Sequence, residues 1–211
     1  MNAFLKTSLI AGLIAAGFAA LPAQAAGDSP WLVRGRLLFM QTAEKSDAVP
    51  GVAQADAIRV ASKVFPDFDI SYFFTPNISA ELVLTYPQIH DVELNGGKIG
   101  SLKHLPPTLL AQYHFDTGTA FVPYVGAGVN YTRIWGVTWD PAVKPLNLSL
   151  ENKSIGPALQ IGADYKLDKV WSLNADIKYI KLESDLSSNG KKISTVSLNP
   201  WLFGVGVGYR F

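Results

Sequence analysis

The segment Trp201-Leu-Phe-Gly-Val-Gly-Val-Gly-Tyr-Arg-Phe211 alternates between two kinds of residue. Trp, Phe, Val and Tyr occupy its odd positions, whereas Gly and Arg occupy the even positions after Leu202. Because successive side chains of a β-strand point to opposite faces, the pattern predicts a strand with one apolar face and one small or polar face. Such a strand is typical of a membrane-spanning β-barrel, whose outside meets lipid and whose inside is polar or crowded.

A second segment, Trp171-Ser-Leu-Asn-Ala-Asp-Ile-Lys-Tyr179, alternates in the same way. Its polar residues, among them Asp176 and Lys178, share the face that we expect to point inward. A slip of one residue would move both charges into hydrocarbon, at a cost of roughly 2–4 kcal/mol for a lysine at the bilayer midplane. The register of this strand is therefore well specified by its sequence.

The same period of two recurs along the chain and predicts an all-β fold, an eight-stranded antiparallel transmembrane β-barrel. An even strand number is what a closed bacterial barrel requires. Sustained helical periodicity is absent after residue 27, although Val52–Val64 could hold a short helix. The predicted strands are Trp31–Gln41, Phe65–Phe74, Ile78–Ile89, Pro107–Phe115, Phe121–Arg133, Ser154–Leu167, Val170–Leu182 and Thr195–Phe211.

The connections between these strands alternate in length, which predicts short periplasmic turns and long extracellular loops. The short ones are Thr75–Asn77, Asp116–Ala120 and Asp168–Lys169. The long ones are Thr42–Val64, His90–Pro106, Ile134–Lys153 and Glu183–Ser194. Aromatic residues fall at both ends of the strands, as the two interfacial girdles of a membrane barrel require. A soluble barrel or sandwich is the alternative, but its core would not need aromatics at both strand ends.

The N-terminal residues have the layout of a secretory signal peptide. Lys6 supplies a positive charge, Leu9–Leu21 is apolar, and Ala23 and Ala25 provide a small-residue cleavage motif. A transmembrane anchor is the alternative, but the apolar run is shorter than the roughly 20 residues that a spanning helix needs. We therefore expect a signal peptide over residues 1–25 and an outer-membrane barrel over residues 26–211.

Composition excludes several functions for this chain of 211 residues. There are no cysteines, so neither disulfides nor thiol chemistry are available. The formal net charge of +1 gives no electrostatic reason to expect nucleic-acid binding. His90, His104 and His114 belong to no recognisable catalytic motif. We expect no enzyme activity, cofactor or metal, and we interpret His90 and His104 as solvated loop residues rather than as a metal site.

Several motifs resemble the OmpW family of outer-membrane proteins, which includes the AlkL type. They are Leu105-Pro-Pro-Thr-Leu109, Gln112-Tyr-His-Phe115, Pro123-Tyr-Val-Gly-Ala-Gly-Val-Asn-Tyr131, Gly156-Pro-Ala-Leu-Gln160, Gly162-Ala-Asp-Tyr165, and Asn199-Pro200 with the C-terminal Gly208-Tyr-Arg-Phe211. They follow one another along the whole mature chain. The resemblance implies an eight-stranded outer-membrane barrel that passes small hydrophobic molecules.

Inward positions near the periplasmic end are polar and carry both signs of charge. Charges inside a barrel of eight strands must pair, because its interior is only wide enough for side chains and isolated buried charges are costly. The sequence therefore predicts a polar plug in the lower lumen, unless these residues serve packing and stability alone. Its predicted members are Arg34, Arg36, Glu81, Gln112, His114, Asp164, Asn174, Asp176 and Arg210.

Inward positions near the extracellular end are apolar instead, which favours capture of apolar solutes over ions or sugars. Pro87 lies late in a predicted strand, and a proline cannot donate to the ladder, so it marks a strand end, a bulge or a lateral opening. A proline at this place resembles the one associated with a lateral opening in the family. The predicted ligand and gate residues are Leu38, Met40, Val83, Pro87, Ile89, Leu110, Leu198 and Leu202.

Two functions remain open at this point. The first is uptake of small hydrophobic solutes, captured in the upper lumen and released sideways into the bilayer. The second is a structural or interaction barrel whose extracellular loops contact partners such as phage or bacteriocins. In both cases we expect a monomer that contacts membrane lipid, and an apolar upper lumen favours the first function.

Overall fold

The computed structural model describes residues 29–42, 45–48, 54–60, 62–94 and 97–211, without the side chains of residues 45 and 58–60. The predicted signal peptide lies outside the described residues, so the division of the chain at residue 25 stays a prediction. The described part is almost entirely β, with one short 3-10 turn at Lys144–Leu146. No helix in that part is long and apolar enough to span a bilayer.

The strands of the described chain follow one another with few residues between them. In chain order they are β1 (Trp31–Gln41), β2 (Lys45–Ser46), β3 (Ile58–Val60), β4 (Lys63–Phe73), β5 (Ile78–Thr85), β6 (Gln88–Leu94), β7 (Gly97–Leu105), β8 (Thr108–His114), β9 (Phe121–Trp139), β10 (Leu148–Leu150), β11 (Lys153–Lys166), β12 (Trp171–Ile180), β13 (Glu183–Ser188), β14 (Lys191–Ser197) and β15 (Trp201–Arg210).

The predicted eight-stranded antiparallel barrel is confirmed. Its strands pair in the order β11, β12, β15, β1, β4, β5, β8 and β9, and pairing between β9 and β11 closes the ring. Each strand buries alternate side chains, as in β1, where Arg34 is buried and Leu37 is exposed to the outside. Most outward aromatic residues lie near the strand ends. Because aromatic girdles mark the membrane interfaces, we place the upper limit of the transmembrane band at Tyr86, Tyr131 and Tyr179.

Three of the predicted extracellular loops contain strands that were not predicted from the sequence. His90–Pro106 contains the hairpin of β6 and β7, Glu183–Ser194 contains β13 and most of β14, and β9 continues beyond Arg133 to Trp139. The strands of this extension bury their own apolar residues above the membrane, in a cluster centred on Val92, Leu102, Ile134, Leu186 and Val196. These strands have few apolar positions among Lys, Ser, Asp and Gly, so the strand pattern is weak in the sequence.

Two further boundaries differ from expectation. In the described part of Val52–Val64, residues Ile58–Val60 form a strand and not a helix. The predicted strand Thr195–Phe211 is interrupted between β14 and β15, where Asn199 has a positive φ of 32° and Pro200 cannot donate a backbone hydrogen bond. The Asn199 side chain instead accepts a hydrogen bond from the backbone N–H of Leu182 at 2.9 Å.

Candidate functional site

Arg34 is the centre of an ionic network that fills the lower lumen. It projects inward from β1 and is fully buried. Its guanidinium lies 2.7 Å from Asp164 on β11, 3.1 Å from Asp69 on β4 and 3.2 Å from Glu81 on β5. Because charge-assisted hydrogen bonds are strong and a buried charge without a partner is costly, these contacts tie three separate strands to one side chain.

Two more cations complete the ionic network. Arg36 binds Asp67 through Nε at 3.0 Å and Asp69 through Nη2 at 3.0 Å, and its Nη1 lies 3.4 Å from Asp176. Lys178 donates to Asp176. The members of the ionic network, as the name is used below, are Arg34, Arg36, Asp67, Asp69, Glu81, Asp164, Asp176 and Lys178.

Side-chain amides fill the space between these charges. Gln112 donates to Glu81 at 2.7 Å and to the side-chain oxygen of Gln160 at 2.8 Å. Gln160 in turn donates to Asp176 at 2.8 Å, and Asn174 donates to Asp164 at 2.9 Å. Each amide therefore bridges two parts of the network, and the lower lumen is occupied by hydrogen-bonded side chains across its width.

Two of the residues predicted for the plug lie apart from the ionic network. Arg210 is half-buried at the periplasmic end, where it donates to the Ser29 carbonyl at 3.0 Å and stacks over the ring of Phe73 at 4.3 Å. His114 is buried beside Ser79, with 3.0 Å between Nε2 and Oγ. Both border an open cavity of about 610 Å³ below the network, lined also by Leu32 and Trp171.

Sequence reasoning missed several members of the lower lumen. Asp67 and Asp69 alternate with Pro66, Phe68 and Ile70, so the period-two pattern could have found them. Lys178 was expected to point inward but not to take part in a plug. Tyr124, whose hydroxyl accepts a hydrogen bond from Asn174 at 3.0 Å, shares the inward period of Asn130 on β9, so the pattern could have found it too.

The upper lumen is filled by an apolar cluster. Six of the eight residues predicted for it lie there, joined by Phe65, Ala158, Ile180 and Leu182, which sequence reasoning missed. The six are Leu38, Met40, Val83, Leu110, Leu198 and Leu202. The periodicity of their strands also places the four missed residues on the inner face, so the signal was present.

Pro87 and Ile89 do not line the upper lumen, so their predicted inward placement is wrong. Ile89 is 55% exposed and Pro87 also lies on the outside, whereas Gln88 and His90 point inward. The cause is local, because β5 ends at Thr85 and the alternation shifts by one residue when β6 begins at Gln88. The proline marks the break, as expected, but the break moves its neighbours to the opposite faces.

Three small cavities lie in line through the upper lumen and the extension. The lowest, about 30 Å³, borders Phe65, Thr85 and Pro106; the middle one, about 20 Å³, borders His90 and His104; the highest, also about 20 Å³, lies within the extracellular core. Neighbouring cavities share lining residues, and their linings are almost entirely apolar. They form an interrupted apolar path from the extracellular core to the top of the ionic network.

The barrel wall is unpaired beside the lowest cavity. β4 and β5 pair as far as Asp67 opposite Thr85, and pairing resumes between β3 and β6 at Val60 opposite Val92, in the same register. Among the described residues between these points, 62–66 and 86–91 form no ladder pair with each other. On this side of the wall the ladder is therefore interrupted over a stretch of both strands.

The opposite side of the same segment is unpaired as well. β5 and β8 pair as far as Val83 opposite Thr108, and β6 and β7 begin at Gln88 opposite His104. Tyr86 and Pro87 thus have a ladder partner on neither side. We call this interruption, Tyr86 and Pro87 with the unpaired stretches on either side, the seam.

Interior amides replace part of the missing ladder at the seam. Gln88 donates to the Tyr86 carbonyl at 3.1 Å, and Asn130 donates to the Pro106 carbonyl at 3.2 Å. The next carbonyl, that of Pro107, already accepts from the backbone N–H of Tyr131 at 3.0 Å. Carbonyl groups that lack a strand partner are costly inside a membrane unless something else satisfies them. A side-chain amide can rotate away from a carbonyl more easily than a neighbouring strand can separate from it. The contacts at the seam are therefore easier to break than those of a continuous ladder.

His90 and His104 are not solvated loop residues, which corrects the interpretation from sequence. His90 is 4% exposed, and the two rings pack edge to face with centroids 4.8 Å apart, above the transmembrane band. Burial, together with the neighbouring His90 and Lys63, lowers the pKa of His104 to about 3. His104 is therefore neutral at ordinary pH and is compatible with the apolar path that it borders.

The chain matches the family model described as the OmpW family over residues 26–211. Among curated proteins it is 41% identical over 193 residues to "Uncharacterized outer-membrane protein y4mB" of Sinorhizobium fredii, covering 89% of this chain and 82% of the relative. It is 27% identical over 199 residues to "Dibenzothiophene metabolism operon protein PahQ" of Pseudomonas aeruginosa, covering 88% of this chain and 90% of the relative.

Among solved structures, the crystal structure of the outer-membrane protein OprG from Pseudomonas aeruginosa superposes with a TM-score of 0.72. The two chains are 29% identical, and the match covers 86% of this chain and 95% of OprG. The sequence and structural matches thus agree on one kind of protein, and they span almost the full length of their counterparts.

Proposed function

The chain belongs to the OmpW family and lies in the outer membrane, and we propose that it takes up small hydrophobic molecules. In this proposal a solute enters from outside along the apolar path, stops above the ionic network and leaves sideways through the seam into the bilayer. Burial of apolar surface, worth about 25 cal/mol per Å², provides the attraction.

One observation carries the proposal. The seam adjoins the apolar upper lumen, since Phe65, Thr85 and Pro106 flank the interrupted ladder and also line the lowest cavity. On the outer side the seam presents Val64 and Tyr86, which are 61% and 51% exposed. An apolar molecule would therefore find apolar surface on both sides of the weakest part of the wall.

The straight route to the periplasm is a poor alternative. It would require separating Arg34 and Arg36 from their carboxylates, which would leave charges without partners in a narrow lumen. An apolar solute cannot replace those contacts. Opening the seam separates only a few amide–carbonyl hydrogen bonds and apolar contacts, whose individual net contribution is about 0.5–1.5 kcal/mol.

The cavities of 20–30 Å³ are too small for a solute, because pockets that hold small ligands measure roughly 300–1,000 Å³. The structure is therefore a closed state, and passage requires the upper lumen to widen. The name of the relative PahQ points to dibenzothiophene, an apolar aromatic compound, and so to the class of solute that we propose for this chain.

A reversible crosslink across the seam tests lateral release. If the register of β4 and β5 continued, Pro66 would face Tyr86, and the chain has no cysteine of its own. In cells that express the Pro66→Cys, Tyr86→Cys variant, we expect oxidation to slow the uptake of n-octane and reduction to restore it. Glycerol uptake, measured in parallel, should not change.

The matched control is the variant Val33→Cys, Ile70→Cys, whose two positions already pair in the ladder on the outside of the barrel. Its oxidation should leave uptake unchanged. If oxidation has no effect on the seam variant either, the solute does not leave through the seam. If expression of the unmodified protein does not raise n-octane uptake at all, uptake of such solutes is not its function.

A structural or interaction barrel is the second candidate, and the extracellular core favours it. β6, β7, β13 and β14 bury their own apolar cluster above the membrane, so the extension presents an ordered surface that a phage or bacteriocin could bind. If this is the function, deletion of the extension should abolish phage or bacteriocin binding. Expression of the unmodified protein should then leave solute uptake unchanged. The absence of enzyme activity and the monomeric state stay predictions.

A further inference from the structure

Basic side chains line up on the outside of the barrel, away from the apolar path. Lys103 on β7, Arg133 on β9 and Lys153 on β11 all point outward and are exposed, and their strands are neighbours in the sheet. Arg133 pairs with Leu105 of β7 on one side and with Lys153 of β11 on the other. Arg133 and Lys153 therefore lie about 4.8 Å apart across the ladder. Lys103 pairs with Trp135, two residues farther along β9, and completes a short basic row.

The arrangement is unfavourable as it stands. Arg133 and Lys153 lie directly opposite each other in the ladder, and like charges in that position destabilise a sheet. Neither of them forms an ion pair with any residue that the structure describes. An anion bound between them would turn this repulsion into attraction.

The height of the row identifies the kind of anion. Tyr131 and Ile155, which form the next outward pair toward the membrane, are 45% and 68% exposed. Arg133 lies two residues above Tyr131, about 6–7 Å along the strand. The headgroup layer begins just above the hydrocarbon core and is about 5–8 Å thick on each side, so Arg133 and its ladder partner Lys153 lie at the level of lipid headgroups.

The surface below the row is suited to acyl chains. Val129, Ile155 and Leu159 point outward beneath Arg133 and Lys153 and are each more than half exposed. Beside the row lies a cleft of about 550 Å³. It is lined by charged side chains of both signs, among them the ion-paired Lys181 and Glu183, and by the hydroxyl residues Ser154 and Thr195. Such a cleft suits a neutral sugar better than a further phosphate.

We propose that this face of β7, β9 and β11 binds a phosphorylated glycolipid of the outer leaflet. Arg133 and Lys153 hold its phosphate, and Lys103 adds positive charge beside them. Val129, Ile155 and Leu159 contact its acyl chains, and the cleft accommodates part of its sugar. The inference depends on the outer-membrane location of the chain, not on the proposed uptake of hydrophobic solutes.

Binding of lipid A to the purified full-length barrel in phosphatidylcholine nanodiscs tests the proposal. We expect the Arg133→Ala, Lys153→Ala variant to bind diphosphorylated lipid A at least tenfold more weakly than the unmodified protein, as measured by native mass spectrometry. The Lys144→Ala, Lys191→Ala variant removes the same charge from exposed positions elsewhere outside the membrane and should bind normally. Equal loss in both variants would mean a general effect of charge and would overturn the proposal.

Two further comparisons separate the phosphate from the rest of the lipid. Fully dephosphorylated lipid A should bind the unmodified protein weakly. Its binding should be as weak as that of diphosphorylated lipid A to the Arg133→Ala, Lys153→Ala variant. If the unmodified protein binds both lipids equally, the phosphate has no role. Inorganic phosphate alone should not compete, and full competition would show that no lipid is required.

The variant Lys153→Glu gives a readout that a purely structural role would not produce. In lipid-free zwitterionic detergent it replaces a like-charge pair by an opposite pair, so its melting temperature should exceed that of the unmodified protein. In nanodiscs that contain diphosphorylated lipid A the order should reverse, because the lipid stabilises only the unmodified protein. The same order in both environments would contradict the proposal.

Discussion

The lower and upper halves of the lumen are built by the same strands and filled in opposite ways. Arg34 and Leu38 both point inward from β1, yet the first is surrounded by carboxylates and the second by apolar side chains. The energy of an ion pair is lost when its partners separate, because an apolar solute cannot replace either charge. Apolar side chains that separate can instead make the same kind of contact with an apolar solute. In the proposed route, the filling of the barrel, and not its diameter, thus decides which part opens.

The wall follows the same division. Beside the ionic network, β4 and β5 form a continuous ladder from Asp67 to Phe73. Beside the apolar cluster the ladder is interrupted at the seam. A weak wall next to a lumen filled with charges would expose those charges to lipid, so the seam and the apolar filling belong together.

The largest expected effect comes from removing the centre of the ionic network. The Arg34→Met variant leaves Asp69, Glu81 and Asp164 without their shared cation in a buried site, and breaking a buried pair costs about 3–5 kcal/mol. We expect a loss of that size in the free energy of unfolding, measured by urea titration of the barrel in phosphatidylcholine vesicles.

Arg210→Met is the matched control, because Arg210 also lies in the lower barrel but is half-buried and outside the ionic network. It should cost about 1 kcal/mol, the size of one hydrogen bond and a cation–π contact. Similar losses for the two variants would show that the network is no more than a set of independent contacts.

A cavity in the apolar cluster should cost less stability. Leu110 is fully buried among Leu38, Val83 and Leu202, and Leu→Ala changes at such sites cost about 2–5 kcal/mol. We expect Leu110→Ala to fall at the lower end of that range in the same urea titration, and to leave n-octane uptake equal or faster because the lumen is wider. A fall in uptake with intact folding would contradict the role of the upper lumen as the path.

Two glycines of β9 give a smaller contrast between the halves. A Cβ at Gly128, at the level of the apolar cluster, would lie 1.9 Å from the backbone oxygen of Leu109. At Gly126, at the level of the ionic network, its nearest contact would be the flexible Gln160 amide at 3.0 Å. Overpacking costs about 1–3 kcal/mol, so Gly128→Ala should lower the free energy of unfolding by that amount and Gly126→Ala by less.

Much of the fold follows from period-two alternation, which predicts all eight barrel strands and the inward position of most lumen residues. Prediction from this alternation fails where the chain interrupts the alternation. At Pro87 one residue is inserted between two strands, which exchanges the faces of Gln88 and Ile89. Local sequence preferences do not reveal such a shift. Apolar and polar residues are neighbours in the sequence whether or not the two faces are exchanged.

The extracellular extension escaped prediction for another reason. Strands such as β13 and β14 consist largely of Ser, Lys, Asp and Thr, with few apolar positions each. Their burial depends on partners far away in sequence, as when Leu186 and Val196 pack with Val92 and Ile134. The site of the two histidines, which the same extension builds, could not be predicted without it.

The last contrast appears only in acid, where protonation of His104 would place a charge in the apolar upper path. The pKa of His104 is about 3 in the folded protein, against an ordinary value of 6.5. Between these values the unfolded chain binds a proton that the folded chain does not, so the free energy of unfolding should fall as the pH is lowered from 6.5 toward 3. Hydrogen exchange of β6 and β7, measured across this range, should accelerate more steeply in the unmodified protein than in His104→Gln, which has no titrating ring at this position. Parallel profiles of the two proteins would show that protonation of His104 does not destabilise the folded protein in acid.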